Sequence, residues 1–131
     1  MSTLEVSNLN DGTTTVATTY MTNGSAKVWC NWNGTGTAAI RDSFGVSSLT
    51  DNGSGDFTFA YTSSFASANY TTGGHHCHSS AITSYVYHVQ LKEDSVATAS
   101  SARLITVYVG ASASGIQDYV NCNFTSQGDL A

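Results

Sequence analysis

The feature that most narrows the fold is a two-residue alternation of apolar and polar side chains, with no sustained helical period. "VWCNWN" (28–33) sets Val28, Cys30 and Trp32 on one face and Trp29, Asn31 and Asn33 on the other. Successive strand positions point to opposite faces, so this pattern predicts a strand with one buried side. "FTFAY" (57–61) groups Phe57, Phe59 and Tyr61 in the same way. "YVYHVQL" (85–91) places Tyr85, Tyr87, Val89 and Leu91 inward, against Val86, His88 and Gln90. "LITVYV" (104–109) is apolar on both faces, as a central strand would be, and "YVNCNF" (119–124) alternates again. All are rich in aromatic and β-branched residues, which suit a pleated, half-buried surface.

Turn chemistry separates these segments. "TDNGSGD" (50–56) links "FGVSSL" to "FTFAY", and its Asn52-Gly53 predicts a tight hairpin turn. "NGTGT" (33–37) and "ASASG" (111–115) are further breakers. The nearest approach to a helix, "KEDSVATASSAR" (92–103), is too polar and Ser-rich for an amphipathic one. A chain of 131 residues makes one ordinary domain. The expected architecture over residues 26–131 is all-β, an antiparallel β-sandwich or jelly roll. Residues 1–25 differ, because Leu4, Val6, Leu9, Val16, Tyr20 and Met21 are too sparse among Thr, Asn and Gly to form a core. They predict an extended N-terminal arm that becomes ordered by adding strands to a neighbouring chain, with disorder as the alternative.

Composition removes several function classes. Only 10% of residues are charged, and a net charge of -5 with four Lys+Arg leaves no electrostatic footprint for nucleic acid. No apolar run is long enough to cross a bilayer, and Met1–Asn10 lacks the basic and apolar regions of a secretory signal. The expectation is a protein made in the cytoplasm without membrane insertion. The Asn-x-Ser/Thr triplets at Asn23, Asn33, Asn52, Asn69 and Asn123 follow from the composition and are read as unglycosylated. Three cysteines, an odd number, argue against a disulfide framework, and the alternation makes Cys30 and Cys122 small core residues.

The sharpest chemical cluster is "HHCH" at 75–78. A structural zinc site takes four tetrahedral ligands, usually from two separated pairs, and adjacent residues of one extended segment cannot wrap an ion alone. His76 and His78, however, would point the same way in a strand. Three chains around a threefold axis would then offer six imidazoles, a nitrogen-rich site suited to a transition metal such as iron or nickel. Without that trimer the segment is a polar loop, which is the plainer reading, and no other cofactor is expected. Asp51, Asn52, Ser54 and Asp56 resemble part of a calcium loop, but Thr62 stands where the closing Glu is required, so a hairpin turn is favoured.

There is no G-x-S-x-G elbow, no base with an orienting partner, and no Gly-rich phosphate cradle between strand and helix. An enzyme is therefore not expected. Trp29, Trp32, Tyr20, Tyr61, Tyr70 and Tyr119 could stack on sugars where exposed, although most are required for the core.

The stretch "AKVWCNWNGTGTAAIRDSFGVSSLTDNGSGDFTFAYTSSFASANY" (26–70) resembles a β-rich module of fibre-like and other virion structural proteins of bacteriophages, often of marine and cyanobacterial hosts. The resemblance rests on Trp29, Asn31, Trp32 and Gly34 to Thr37, then "IRDSFGVSSLTDNGSGDFTF", then Asn69-Tyr70, with "SARLITVYV" and "YVNCNF" similar in outline. Ala66-Ser67-Ala68 departs from the Pro such modules often carry, and "TSQGDLA" continues past their usual final strand. The resemblance implies a non-enzymatic protein of the virion surface, assembled as a homotrimer. Its arm would be held by major capsid or tail proteins, in a fibre, a spike or a capsid decoration. The alternative it leaves open is a carbohydrate-binding, receptor-recognition module of a tail fibre that touches host-surface glycan.

Overall fold

The computed structural model describes residues 5–77, 85–95 and 97–131. The arm holds β1 (Asn8–Asn10), β2 (Thr15–Ala17) and α1 (Thr18–Gly24). The body holds β3 (Val28–Asn33), β4 (Ala39–Phe44), β5 (Val46–Gly53), β6 (Asp56–Tyr61), β7 (Thr71–Cys77), β8 (Tyr85–Leu91), β9 (Ser101–Gly110), β10 (Ser114–Ile116) and β11 (Asn121–Gln127). The body is all-β, with its strands hydrogen-bonded in the order β4-β3-β11-β7-β8-β9-β6-β5. Every pairing is antiparallel.

This sheet folds onto itself as two facing layers, β4-β3-β11-β7 and β8-β9-β6-β5. On one side, the described residues join β7 to β8 at the single register pair Gly74↔Val89. A Cβ on Gly74 would stand 2.7 Å from Val89 Cβ, so glycine is what lets the layers approach there. On the other side the chain runs from β4 into β5 through Gly45, whose φ of 73° and 2.5 Å clearance to the Lys27 carbonyl exclude a side chain. The result is a nearly closed sandwich.

The alternating segments supply its filling. Val28, Cys30 and Trp32 from β3 and Cys122 and Phe124 from β11 face Phe57 and Phe59 from β6, Leu104 from β9 and Val89 from β8. The Trp32 ring meets Phe59 at 4.8 Å, Phe57 at 5.9 Å and Phe124 at 6.0 Å, all edge to face. β9 is buried on both sides as its sequence predicts, with Leu104 and Thr106 inward and Ile105 and Val107 nearly covered outside. β6 lines its lower half, and β10 takes the same edge above, from Ile116↔Val107 to Ser114↔Val109.

Antiparallel order gives the body two distinct poles. The lower pole gathers the starts of β3 and β7, the Gly45 corner and the ends of β6 and β11, and the arm enters there. The upper pole gathers the end of β7, the start of β8, the end of β9 and β10.

Several elements differ from the sequence expectation. The tight turn falls on Ser54-Gly55, not on Asn52-Gly53, and no non-glycine residue among those described has positive φ. Tertiary contacts move it: the Gly55 N–H donates to Asp118 Oδ1 at 2.6 Å, its carbonyl accepts from Thr106 at 2.8 Å, and its φ is 65°. Tyr85 and Leu91, at the ends of β8, are not in the buried core but remain 37% and 39% exposed. The arm pairs β1 with β2 in its own chain, as Asn8↔Ala17, Leu9↔Val16 and Asn10↔Thr15. It also contains a helix that no periodicity announced.

One buried ion cluster sits among these strands. Asp56 accepts from Arg103 Nε at 2.7 Å and Nη2 at 2.8 Å, and from Lys92 Nζ at 2.6 Å. The Arg103 hydrogen bonds, with help from Lys92, hold its carboxyl at about 2, below its ordinary 3.8. A depressed carboxylate stabilises the fold fully above its ordinary value and loses that contribution as pH falls toward the depressed one. Asp56→Asn is expected to cost about 2 kcal/mol at pH 7 and to flatten the acid limb of stability between about pH 4 and 2. Urea titrations of both proteins across that range check it.

Candidate functional site

Of the two expected metal ligands, His76 falls at the upper pole. The backbone of His76 lies in β7, opposite Cys122. Positions 72, 74 and 76 pair with Ser126, Phe124 and Cys122, all buried. His78 lies outside the described residues. Among the described residues, no three or more His, Cys, Asp or Glu groups gather as a metal site. Tyr87 stands edge-on to Tyr119 at 5.2 Å and Tyr85 edge-on to Tyr108 at 5.5 Å, so this pole is floored by aromatic rings.

The calcium-like segment is occupied by its own turn. Asp51 Oδ1 accepts from the Gly53 N–H at 2.9 Å, Asn52 Nδ2 donates to Thr58 Oγ1 at 2.9 Å, and Asp56 belongs to the two cations above. Its carboxylates therefore face separate partners and share no common centre.

The arm offers a different chemistry. α1 has seven residues, no side-chain cap, no acidic first turn and no buried residue. A helix this short is marginal alone, as is a two-stranded hairpin. What closes the hairpin is local: Asp11 Oδ1 accepts from the Thr13 N–H at 2.9 Å, Thr13 Oγ1 at 2.8 Å and the Thr14 N–H at 2.7 Å. These bonds, the Thr14 one foremost, hold the Asp11 carboxyl at about 2. Val6, Leu9, Val16, Tyr20 and Met21 all remain exposed, Tyr20 at 73%. Where the arm meets the lower pole, Met21, Asn23, Lys27, Asp129 and Leu130 line an open hollow.

The outer face of the β4-β3-β11 layer carries a further cluster. Trp29 has Phe44 and Thr125 as its cross-strand partners, and Asn31 has Asp42 and Asn123. Trp29 is 36% exposed and Phe44 59%. Trp29 was visible in the sequence as an aromatic on the polar side of its strand. Phe44 was not, because β4 is exposed or half-buried at every position and shows no alternation. The one available signal was the i, i+2 spacing of Asp42 and Phe44 beside the Gly45 corner.

Cys30 and Cys122 are buried, free thiols. Burial pushes both up to about 12, and the Cys122 thiol donates to the Tyr119 carbonyl at 3.4 Å. A thiol in that state is a poor nucleophile. With a thiol-reactive disulfide reagent at pH 8, the native protein is expected to label at Cys77 or not at all. Cys30 and Cys122 should react only in denaturant, a count that mass spectrometry reads directly.

No protein-family model, no curated protein and no solved structure matches this chain.

Proposed function

We propose that the chain is a non-enzymatic structural protein of a bacteriophage virion. It is a small homotrimeric surface protein of fibre, spike or capsid-decoration type, and its N-terminal arm fixes it to capsid or tail proteins. The observation that carries this reading is the arm. Its apolar side chains are uncovered, its helix and hairpin are each too short to be stable alone, and it leaves the body at the lower pole. Covering each such side chain is worth about 1.5–3 kcal/mol, so a partner surface would order the arm and hold the particle together at the same time. The resemblance of residues 26–70 to fibre-like virion modules supplies the biological setting.

The body suits this role. It has few charges, no proline, and a filled aromatic core under a Ser-, Thr- and Asn-rich exterior. With the arm at one pole, the opposite pole is turned outward.

Light scattering on the full chain is expected to give three times its 13.7 kDa mass. The pair Leu9→Ser and Val16→Ser should lower that mass to a monomer while the body keeps its melting temperature. A monomeric wild type would overturn the trimer. The same sample tests the axial ion: metal analysis should find about one ion per three chains, lost in His76→Ala/His78→Ala. Metal content and melting temperature unchanged by that pair would remove the ion.

A further inference from the structure

We infer that the outer face of β3, β4 and β11 is a carbohydrate-binding platform centred on Trp29, taking neutral hexose units of a glycan. The inference concerns the body alone and does not depend on how the arm is anchored.

Two rows of side chains cross this face. The lower row is Thr125, Trp29 and Phe44, and the next is Asn123, Asn31 and Asp42, each set aligned by strand register. Neighbouring strands lie about 4.8 Å apart and residues i and i+2 about 7 Å apart along a strand. A sugar ring lying on the indole therefore turns its hydroxyls toward the amide row. The faces of sugar rings carry C–H groups that pack on aromatic surface, while their hydroxyls need donors and acceptors in the ring plane.

The second row supplies those groups. The side chains of Asn31 and Asn123 are half-buried yet make no hydrogen bond among the described residues. Each amide offers two donors and an acceptor, and burial in part makes leaving them unpaired costly. Asp42 adds a carboxylate oxygen beside them; among the described residues its Oδ1 accepts only from the neighbouring Ser43 N–H, at 2.9 Å. Beyond Thr125 lies Gly73, where an added Cβ would meet nothing, so a shelf stays open for a second unit of the chain.

Charge narrows the ligand. Among the described side chains of this face the charged groups are Asp42, in the amide row, and Arg41, which reaches over the β4 bulge to donate to Asn121 Oδ1 at the upper edge. An aromatic and amide surface with one carboxylate, whose one described cation is engaged at its upper edge, suits a neutral polyol better than a phosphate or sulfate polymer. The contrast with the outer face of β8, β9 and β10 is chemical: Val86, Val109 and Ile116 are exposed there, an aliphatic patch with no comparable row of amides.

The test uses the full chain and soluble oligosaccharides of glucose, galactose, mannose and N-acetylglucosamine. The protein has two tryptophans and Trp32 is 0% exposed, so a change in tryptophan emission reports Trp29. At least one oligosaccharide is expected to give a saturable change. Trp29→Ala should abolish binding measured by calorimetry, and Asn31→Ala/Asn123→Ala should weaken it about tenfold, with melting temperatures retained. No response to any member of the panel overturns the inference, as does binding that survives in Trp29→Ala. If Trp29→Ala/Phe44→Ala lowers the mass in light scattering, the face is covered by a second copy and the inference also falls.

Discussion

Trp32 holds the two layers of this protein together. Its indole edge meets Phe57 and Phe59 of one layer and Phe124 of the other, and no part of it reaches solvent. Edge-to-face pairs of this kind add about 0.5–1.5 kcal/mol each beyond the area they bury. The arrangement has a cost, because the Trp32 N–H finds no acceptor among the described residues. An unpaired buried donor costs about 1–3 kcal/mol, which the surrounding ring contacts offset. It also constrains the backbone. A Cβ at Gly34 would lie 2.8 Å from Phe57 Cζ, so the chain leaving β3 must be bare where it passes this cluster and bonds the Tyr119 carbonyl.

From that centre the two poles diverge in character. The lower pole is knitted by backbone bonds between distant loops: Phe65 N–H to the Ala99 carbonyl, Ala66 N–H to Asp129, and Ala131 N–H to Ser64. Phe65 stacks on Tyr70 at 4.3 Å, and the Tyr70 hydroxyl donates to the Ser101 carbonyl at 3.0 Å. The C-terminal residues are used here, with Leu130 bridging to Phe65. A closed, interlocked base with an uncovered arm is consistent with the anchoring proposed above. The broad outer faces are then free to carry recognition chemistry, as proposed for Trp29.

The strands that were legible in the sequence are those with one face in the core. β3, β6 and β11 alternate because every second residue touches the aromatic cluster, and that constraint writes a period of two into the chain, whereas β9 is covered on both sides and reads as a continuous apolar run. β4, β1 and β2 were illegible for the opposite reason, and β5 was legible only through the hairpin turn that joins it to β6. They are exposed or half-buried throughout, so no residue choice is enforced by packing, and their register is set by the partner strand. α1 was missed likewise, since a helix without a buried residue leaves no 3.6-residue pattern. The candidate platform was half legible: Trp29 stood out as an aromatic on the wrong face of its strand, whereas Phe44 needed β4 to be placed before it meant anything.

By itself the sequence determined an all-β body, the inward faces of β3, β6, β9 and β11, the burial of Cys30 and Cys122, and an arm with too few apolar residues for a core. Each follows from local composition and alternation, which act along the chain. Only the tertiary structure decided that the hairpin turn falls on Ser54-Gly55, that the body has two poles, and that Trp29, Phe44, Asn31, Asp42 and Asn123 share one surface. Those outcomes depend on which strands become neighbours. Pairing between distant segments is set by the fit of the whole aromatic core, a property that no single stretch of the chain contains.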